Sequence, residues 1–378
     1  MQSLRRVYTS SALILLNSLL LFFVLNLALY VASTIGHPRY GPLTRYATSL
    51  VMRAYPAWSD SDVDLLMRET YLDARPEYDV ISQLRERPMS GRFVNVSPAG
   101  FRLVAHQGPW PPARGATNIF VFGGSTTFGY GGKDSDTIPS QLQDLIDAGE
   151  PMKPVHIYNF GRAAYTSTQE LVALFSLIRQ GQAPDIAIFI DGLNDCTNWR
   201  DNSWLYGRIM KAKIAESRWQ SFVNDATELP LFEYIRKIEL GLQRGGELHQ
   251  DAPTAVMINS VLTNWRSNHD EIIRLCQPYG TKTVFVWQPT PFYKYSLEYH
   301  FLGDQARYNY NYIPVVAVYP EIERASTAGA LGPDFLFLGD IQEHEQRNLY
   351  VDAAHYNPGA CHEIADRIYR FLLKSSLI

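Results

Sequence analysis

The chain has 378 residues, a formal net charge of −4, 19% charged residues and 13% aromatics. That length holds two or three ordinary domains, or one large domain with insertions. The charge balance excludes a basic nucleic-acid binder, and the composition excludes a disordered chain, a coiled coil and a collagen-like fibre, while 3 cysteines exclude a disulfide scaffold.

Residues 11–33, SALILLNSLLLFFVLNLALYVAS, carry no charge. A hydrocarbon core about 30 Å thick needs about 20 helical residues, so this run predicts a membrane-spanning helix. A signal peptide is the rival. Its apolar core is about 7–15 residues and ends in a small-x-small site, whereas this run is longer and Ala28-Leu29-Tyr30 is a poor cleavage site. Arg5 and Arg6 precede the span and Arg39, Arg45 and Arg53 follow it, so the count of flanking charge does not decide orientation. The nearest charges lie on the N-terminal side and a large domain follows. The expected topology is a single-pass inner-membrane protein with residues 1–10 as a cytoplasmic tail and the bulk periplasmic or otherwise extracytoplasmic.

Residues 34–114 read as a connector and lead-in. Pro38, Pro42 and Pro56 suggest an extended exit from the membrane. Ser59-Asp60-Ser61-Asp62 supplies N-cap candidates for the short helix VDLLMRETYL. Asp60, Asp62 and Asp64 start like a calcium loop, but Leu65 stands where Gly belongs and Tyr71 where Glu belongs, so capping is the reading and no metal site is assigned. Pro76, Pro88, Pro98, Pro109, Pro111 and Pro112 mark an irregular segment packed on the next domain.

Residues 115–378 alternate short apolar runs with helical patterns. Asn118–Phe122, His156–Phe160, Asp185–Ile190 and Thr283–Trp287 suit strands buried on both faces. Ile138–Ile146, Ser167–Ile178, Thr254–Tyr279 and Gly359–Lys374 suit helices, the second capped by Ser167 or Thr168. This rhythm predicts an α/β fold with a central parallel sheet. Residues 198–253 and 291–345 break it and read as insertions at strand ends, where α/β enzymes keep variable loops.

Ser125 lies in Gly123-Gly124-Ser125-Thr126-Thr127, between a buried strand and a helix. Glycines there permit a tight turn and close approach of a substrate to a nucleophile; a plain turn or a phosphate loop has the same look, although the P-loop lysine is absent. Asp352 and His355, three residues apart before the last helix, can place a general base and its orienting carboxylate on one side of a turn. A capping Asp beside a surface His is the alternative. Asn194, in Asp191-Gly192-Leu193-Asn194-Asp195, offers an amide donor to an oxyanion or, equally, an Asx turn. Asn159 ends the second strand, followed by Gly161.

In this order the four blocks resemble the SGNH hydrolase superfamily, which includes the GDSL esterases and lipases. The resemblance covers about residues 116–196 and 346–374. It implies a three-layer α/β/α, flavodoxin-like sandwich and serine ester hydrolysis. It casts Ser125 as nucleophile, His355 as general base, Asp352 as its partner, and the Ser125 N–H, a second-block N–H and the Asn194 side chain as the oxyanion hole. The family often has Asp before the serine, where this chain has Gly124, a mark shared by many bacterial relatives. The family's oxyanion glycine usually lies five residues after the Asn; that position is Ala164, with Gly161 as the fallback donor. Ala164 serves at negative φ, and a positive φ there implies a strained or incomplete hole. In these relatives Gln288-Pro289-Thr290-Pro291 resembles a lead into the active-site rim.

Three functions follow as expectations. The first is an anchored esterase removing acyl groups, acetyl foremost, from an extracytoplasmic polysaccharide, with Tyr293, Tyr295, Tyr299, Tyr308, Tyr310 and Tyr312 either stacking on sugars or packing the insertion. The second is an O-acyltransferase using the same acyl-serine. The third is a non-catalytic scaffold of an envelope or export complex. No cofactor is expected. Cys196, Cys276 and Cys361 read as buried thiols or one disulfide with a cysteine left over.

Overall fold

The computed structural model describes residues 2–35, 41–44, 46–74, 76–199, 229, 231–232, 254–309 and 312–378. The chain divides into two units, Met1–Arg39 with Arg208–Gln250, and Tyr40–Gly207 with Asp251–Ile378.

The first unit contains helix α1 (Gln2–Ile35). Its stretch Arg5–Val31 is long and apolar enough to cross a membrane by length and composition. Residues 2–10 continue the helix outward from the charge-free run. Asn26, a polar residue in that run, is satisfied: its amide donates to Phe22 O at 2.8 Å and its oxygen accepts from Leu231 N at 3.1 Å. The proposed insertion at 198–253 otherwise lies almost wholly outside the described residues.

In the second unit, α2 (Asp60–Arg68) is followed by two hairpins, β1 (Pro76–Asp79) with β2 (Gln83–Glu86), and β3 (Met89–Ser90) with β4 (Asn95–Val96). The main sheet then takes β5 (Thr117–Gly123), β6 (Val155–Asn159), β7 (Ile186–Asp191), β8 (Lys282–Trp287) and β9 (Phe335–Phe337). Their order is β6-β5-β7-β8-β9 and every pair is parallel. The helices are α3 (Ser125–Phe128), α4 (Ile138–Ala148), α5 (Ser167–Arg179), α6 (Leu193–Thr197), α7 (Ala255–Cys276), α8 (Ile313–Thr327) and α9 (Pro358–Lys374).

Period-two alternation gives the sheet two different faces. Ile119, Val121, Ile186, Ile188, Ile190, Val284 and Val286 form an aliphatic face buried with Leu142 and Ile146 of α4 and Ile364 and Ile368 of α9. On the other face Phe160, Phe122, Phe189 and Phe285 stack in sequence, with centroids 5.6, 5.0 and 5.3 Å apart. Trp265 of α7 presents an edge to Phe285, Trp287 and Phe335 there, and Asn268 ties α7 to α5 through Ser167 and Thr168. The result is the three-layer α/β/α sandwich with flavodoxin-like strand order. Its topological switch point, the crevice beyond the carboxyl ends of β5 and β7, is where such sheets bind ligands.

Three sequence expectations are corrected. Thr166 rather than Ser167 or Thr168 caps α5, in a capping box with Gln169; Ser167 is instead bonded to Asp195. Residues 291–345 are not purely an insertion, because α8 and the edge strand β9 lie within them; β9 is too short for a periodic signal, and Pro320 interrupts the pattern of α8. The lead-in is ordered into hairpins, and Arg102, fully buried, joins it to the sheet by donating its backbone N–H to Asn159 O at 2.9 Å.

Candidate active site

Ser125 opens α3 directly beyond β5. The turn is closed by Thr127 N and Phe128 N, both donating to Gly124 O. Asn159 of β6 fastens it from beside: its amide donates to Thr127 O at 2.9 Å. Arg102 closes the far end, donating from Nη1 to Phe128 O and Gly129 O at 2.9 and 2.8 Å, from Nη2 to Gly132 O at 2.7 Å and from Nε to Asp134 at 2.9 Å. Cationic donors suit the carbonyl end of a helix. Thr126 Oγ1 donates to Gln288 Oε1 at 3.0 Å, which ties the serine block to the segment after β8.

The Asp352–His355 turn precedes α9, whose cap Asn357 accepts from Ala360 N at 2.9 Å with Pro358 in the first turn. His355 Nδ1 lies 2.6 Å from Asp352 Oδ2, and Nε2 lies 2.8 Å from Ser125 Oγ. Asp352 Oδ1 accepts the backbone N–H groups of Ala354 and His355 at 2.9 and 2.8 Å. Burial opposes ionisation of Asp352, but the adjacent His355 and those two N–H groups outweigh it and hold the carboxyl below the usual carboxylate range. A carboxylate only accepts, so Nδ1 carries the imidazole proton and Nε2 is left to accept from the Ser125 hydroxyl. The ring of Tyr130 stacks on His355 at 5.3 Å.

Asn194, at the start of α6 beyond β7, donates its amide to Tyr165 O at 2.8 Å. Behind it the carboxyls of Glu170 and Asp191 are buried and Asp195 is half-buried, and desolvation pushes all three upward. Ala164 has φ +58°, the left-handed conformation for which a strained or incomplete hole was expected. Its neighbours are committed elsewhere: Gly161 N donates to Asn159 Oδ1, Arg162 N to Gly123 O and Ala163 N to Glu86 Oε1 at 2.9, 2.9 and 3.1 Å. Gly161 therefore does not present its N–H to the serine. Its glycine character has another cause, since a Cβ there would come within 2.3 Å of Phe128 N.

Sequence reading missed Tyr71, Glu86, Arg102 and Tyr130. Tyr71 donates to Asp352 Oδ2 at 2.8 Å across 281 residues of chain, and no spacing signals such a pair. The insertion tyrosines that are described pack the protein: Tyr293 donates to Glu323 at 2.7 Å, Tyr295 donates to Arg347 O at 2.9 Å, and Tyr312 rests against Phe292. Tyr299 is half-buried, while Tyr310 and the side chain of Tyr308 lie outside the described residues. The three cysteines are free and buried. Among the described residues no group of three or more His, Cys, Asp or Glu is arranged to hold a metal.

No family model and no curated protein matches the chain. Among solved structures it is similar to a lipolytic protein of the G-D-S-L family from Desulfitobacterium hafniense, at 12% identity over 68% of this chain and 99% of that one, with a TM-score of 0.38. It is also similar to the psychrotrophic esterase EstA from a Pseudoalteromonas species, at 15% identity over 69% and 100% with a TM-score of 0.34. A third is the acetyl xylan esterase AlAXEase, at 11% identity over 67% and 98% with a TM-score of 0.35.

Proposed function

We propose that the protein is a serine esterase of the SGNH type, anchored in the inner membrane through residues 11–33, which removes acyl groups, acetyl foremost, from an extracytoplasmic carbohydrate. The observation that carries the reading is the unbroken line Ser125 Oγ, His355, Asp352, with contacts of 2.8 and 2.6 Å. His355 Nε2 takes the Ser125 proton as Oγ bonds to the acyl carbon. The carbonyl electrons collect on an oxyanion facing the Ser125 N–H, the Asn194 amide and the Ala164 N–H. Collapse breaks the bond to the sugar oxygen, which leaves with the proton from Nε2. Water, deprotonated by His355, then frees the acyl group as acid and restores the serine.

The test is hydrolysis of p-nitrophenyl acetate and of acetylated glycans by the full chain, beside Ser125→Ala, with fluorophosphonate labelling of the serine. Loss of both turnover and labelling in Ser125→Ala is expected. Undiminished turnover would sink the mechanism. Acyl transfer to an added oligosaccharide, with little free acid formed, would point to the O-acyltransferase instead, and absence of both labelling and turnover to a scaffold.

A further inference from the structure

We propose that Tyr71 is a positioning residue of the catalytic line, its phenol holding the Asp352 carboxylate against His355; this deepens the serine-esterase reading and rests on it. Helix α2 ends in one π turn over Glu69–Asp73, where Ala74 N donates to Glu69 O at 2.8 Å. Such turns re-aim side chains and are frequent at functional sites. Here the turn has two products. The Glu69 carboxylate accepts from the backbone N–H groups of Arg92, Phe93 and Val94 at 2.8, 2.8 and 2.9 Å, which fixes the helix end. Tyr71 is carried to Asp352.

The Tyr71 ring is held on two sides. A Cβ at Gly41 would lie 2.3 Å from its Cδ2, and Tyr130 meets it edge-on at 5.1 Å while stacking on His355. The hydroxyl is therefore delivered by a fixed ring. With it, Asp352 has a donor on each of about four lone-pair directions: two N–H groups on Oδ1, and His355 Nδ1 and Tyr71 on Oδ2. A carboxylate so occupied cannot rotate away from Nδ1. The phenol also takes a share of the charge on Oδ2, which moderates the pull of that oxygen on the imidazolium formed during reaction.

The measurement is kcat and KM of the full chain with p-nitrophenyl acetate as a function of pH, for wild type, Tyr71→Phe, Asp352→Asn and the double variant. Tyr71→Phe keeps the ring and removes one hydroxyl. It is expected to lower kcat about tenfold with KM little changed. The acid limb of kcat/KM should move to higher pH, because the unshared carboxylate favours the imidazolium. In the Asp352→Asn background the same change should cost nothing further. Wild-type kinetics in Tyr71→Phe, a lowered kcat with an unmoved acid limb, or an equal loss in the Asp352→Asn background would each overturn the role. A wild type that neither turns over nor labels at Ser125 would instead reject the esterase reading itself.

Discussion

Gly124 and Asn194 are packed so closely that a Cβ at residue 124 would fall 2.3 Å from Asn194 Nδ2. The residue before Ser125, the proposed nucleophile, is thus packed against the amide proposed for the oxyanion hole, and any side chain at 124 would crowd it. Gly124→Ala should displace Asn194 and lower kcat about 100-fold, in the range found when one oxyanion donor is removed. Asn194→Ala should do the same, and the double variant should be no worse than either single one. Steady-state kinetics of the three variants provides the check, and additive losses would separate Gly124 from Asn194.

Ala164 adopts a conformation that costs an L-residue roughly 1–2 kcal/mol. Glycine removes that strain but adds freedom to the unfolded chain, at about 0.4–1 kcal/mol. Ala164→Gly is therefore expected to stabilise the protein by about 0.5–1 kcal/mol, without loss of kcat, as read by denaturant unfolding and turnover. A destabilised Gly variant would contradict the strain.

Glu86 lies wholly buried on β2, with Oε1 accepting from Ala163 N in the loop that carries Ala164. Burial is the main cause of a pKa raised from 4.5 to about 7, and the Ala163 N–H, Arg162 and Arg102 only partly oppose it. The folded carboxyl keeps its proton where the unfolded one has lost it. Its contribution is thus complete below pH 4.5 and is lost as pH rises to about 7. Glu86→Gln mimics the protonated form, so its stability should vary less with pH across that window. Above it the variant should exceed wild type by about 2–3 kcal/mol. Denaturant midpoints over a pH series read this; parallel curves for both proteins would refute it.

Arg102 supplies donors to Phe128 O, Gly129 O, Gly132 O and Asp134 from a fully buried guanidinium. A lysine keeps the charge but not the planar fork. Arg102→Lys should cost about 3 kcal/mol or more, because carbonyls at the end of the serine helix lose their partners in a buried site. A melting temperature lower by several degrees is the expected reading. An unchanged one would mean that water replaces the fork.

The amino-acid sequence determined the local features. A charge-free run fixes α1, short apolar runs fix β5 to β8, and Gly-Gly-Ser, Asn-x-Gly, Asn194 and Asp-x-x-His mark the ends of elements, because period, turn chemistry and capping act over a few residues. The short strand β9 and the proline-interrupted α8 carry too little periodicity to be seen that way. The remaining features depend on contacts between segments far apart in the chain. Tyr71 reaches Asp352, Glu86 reaches Ala163, and Arg102 closes the serine helix from a lead-in that reads as irregular. The surroundings of Gly161 were likewise hidden in the sequence. It packs closely on Phe128 and its N–H is committed to Asn159 Oδ1. Side-chain identity sets what each residue can donate or accept, and the fold sets which partner stands within reach.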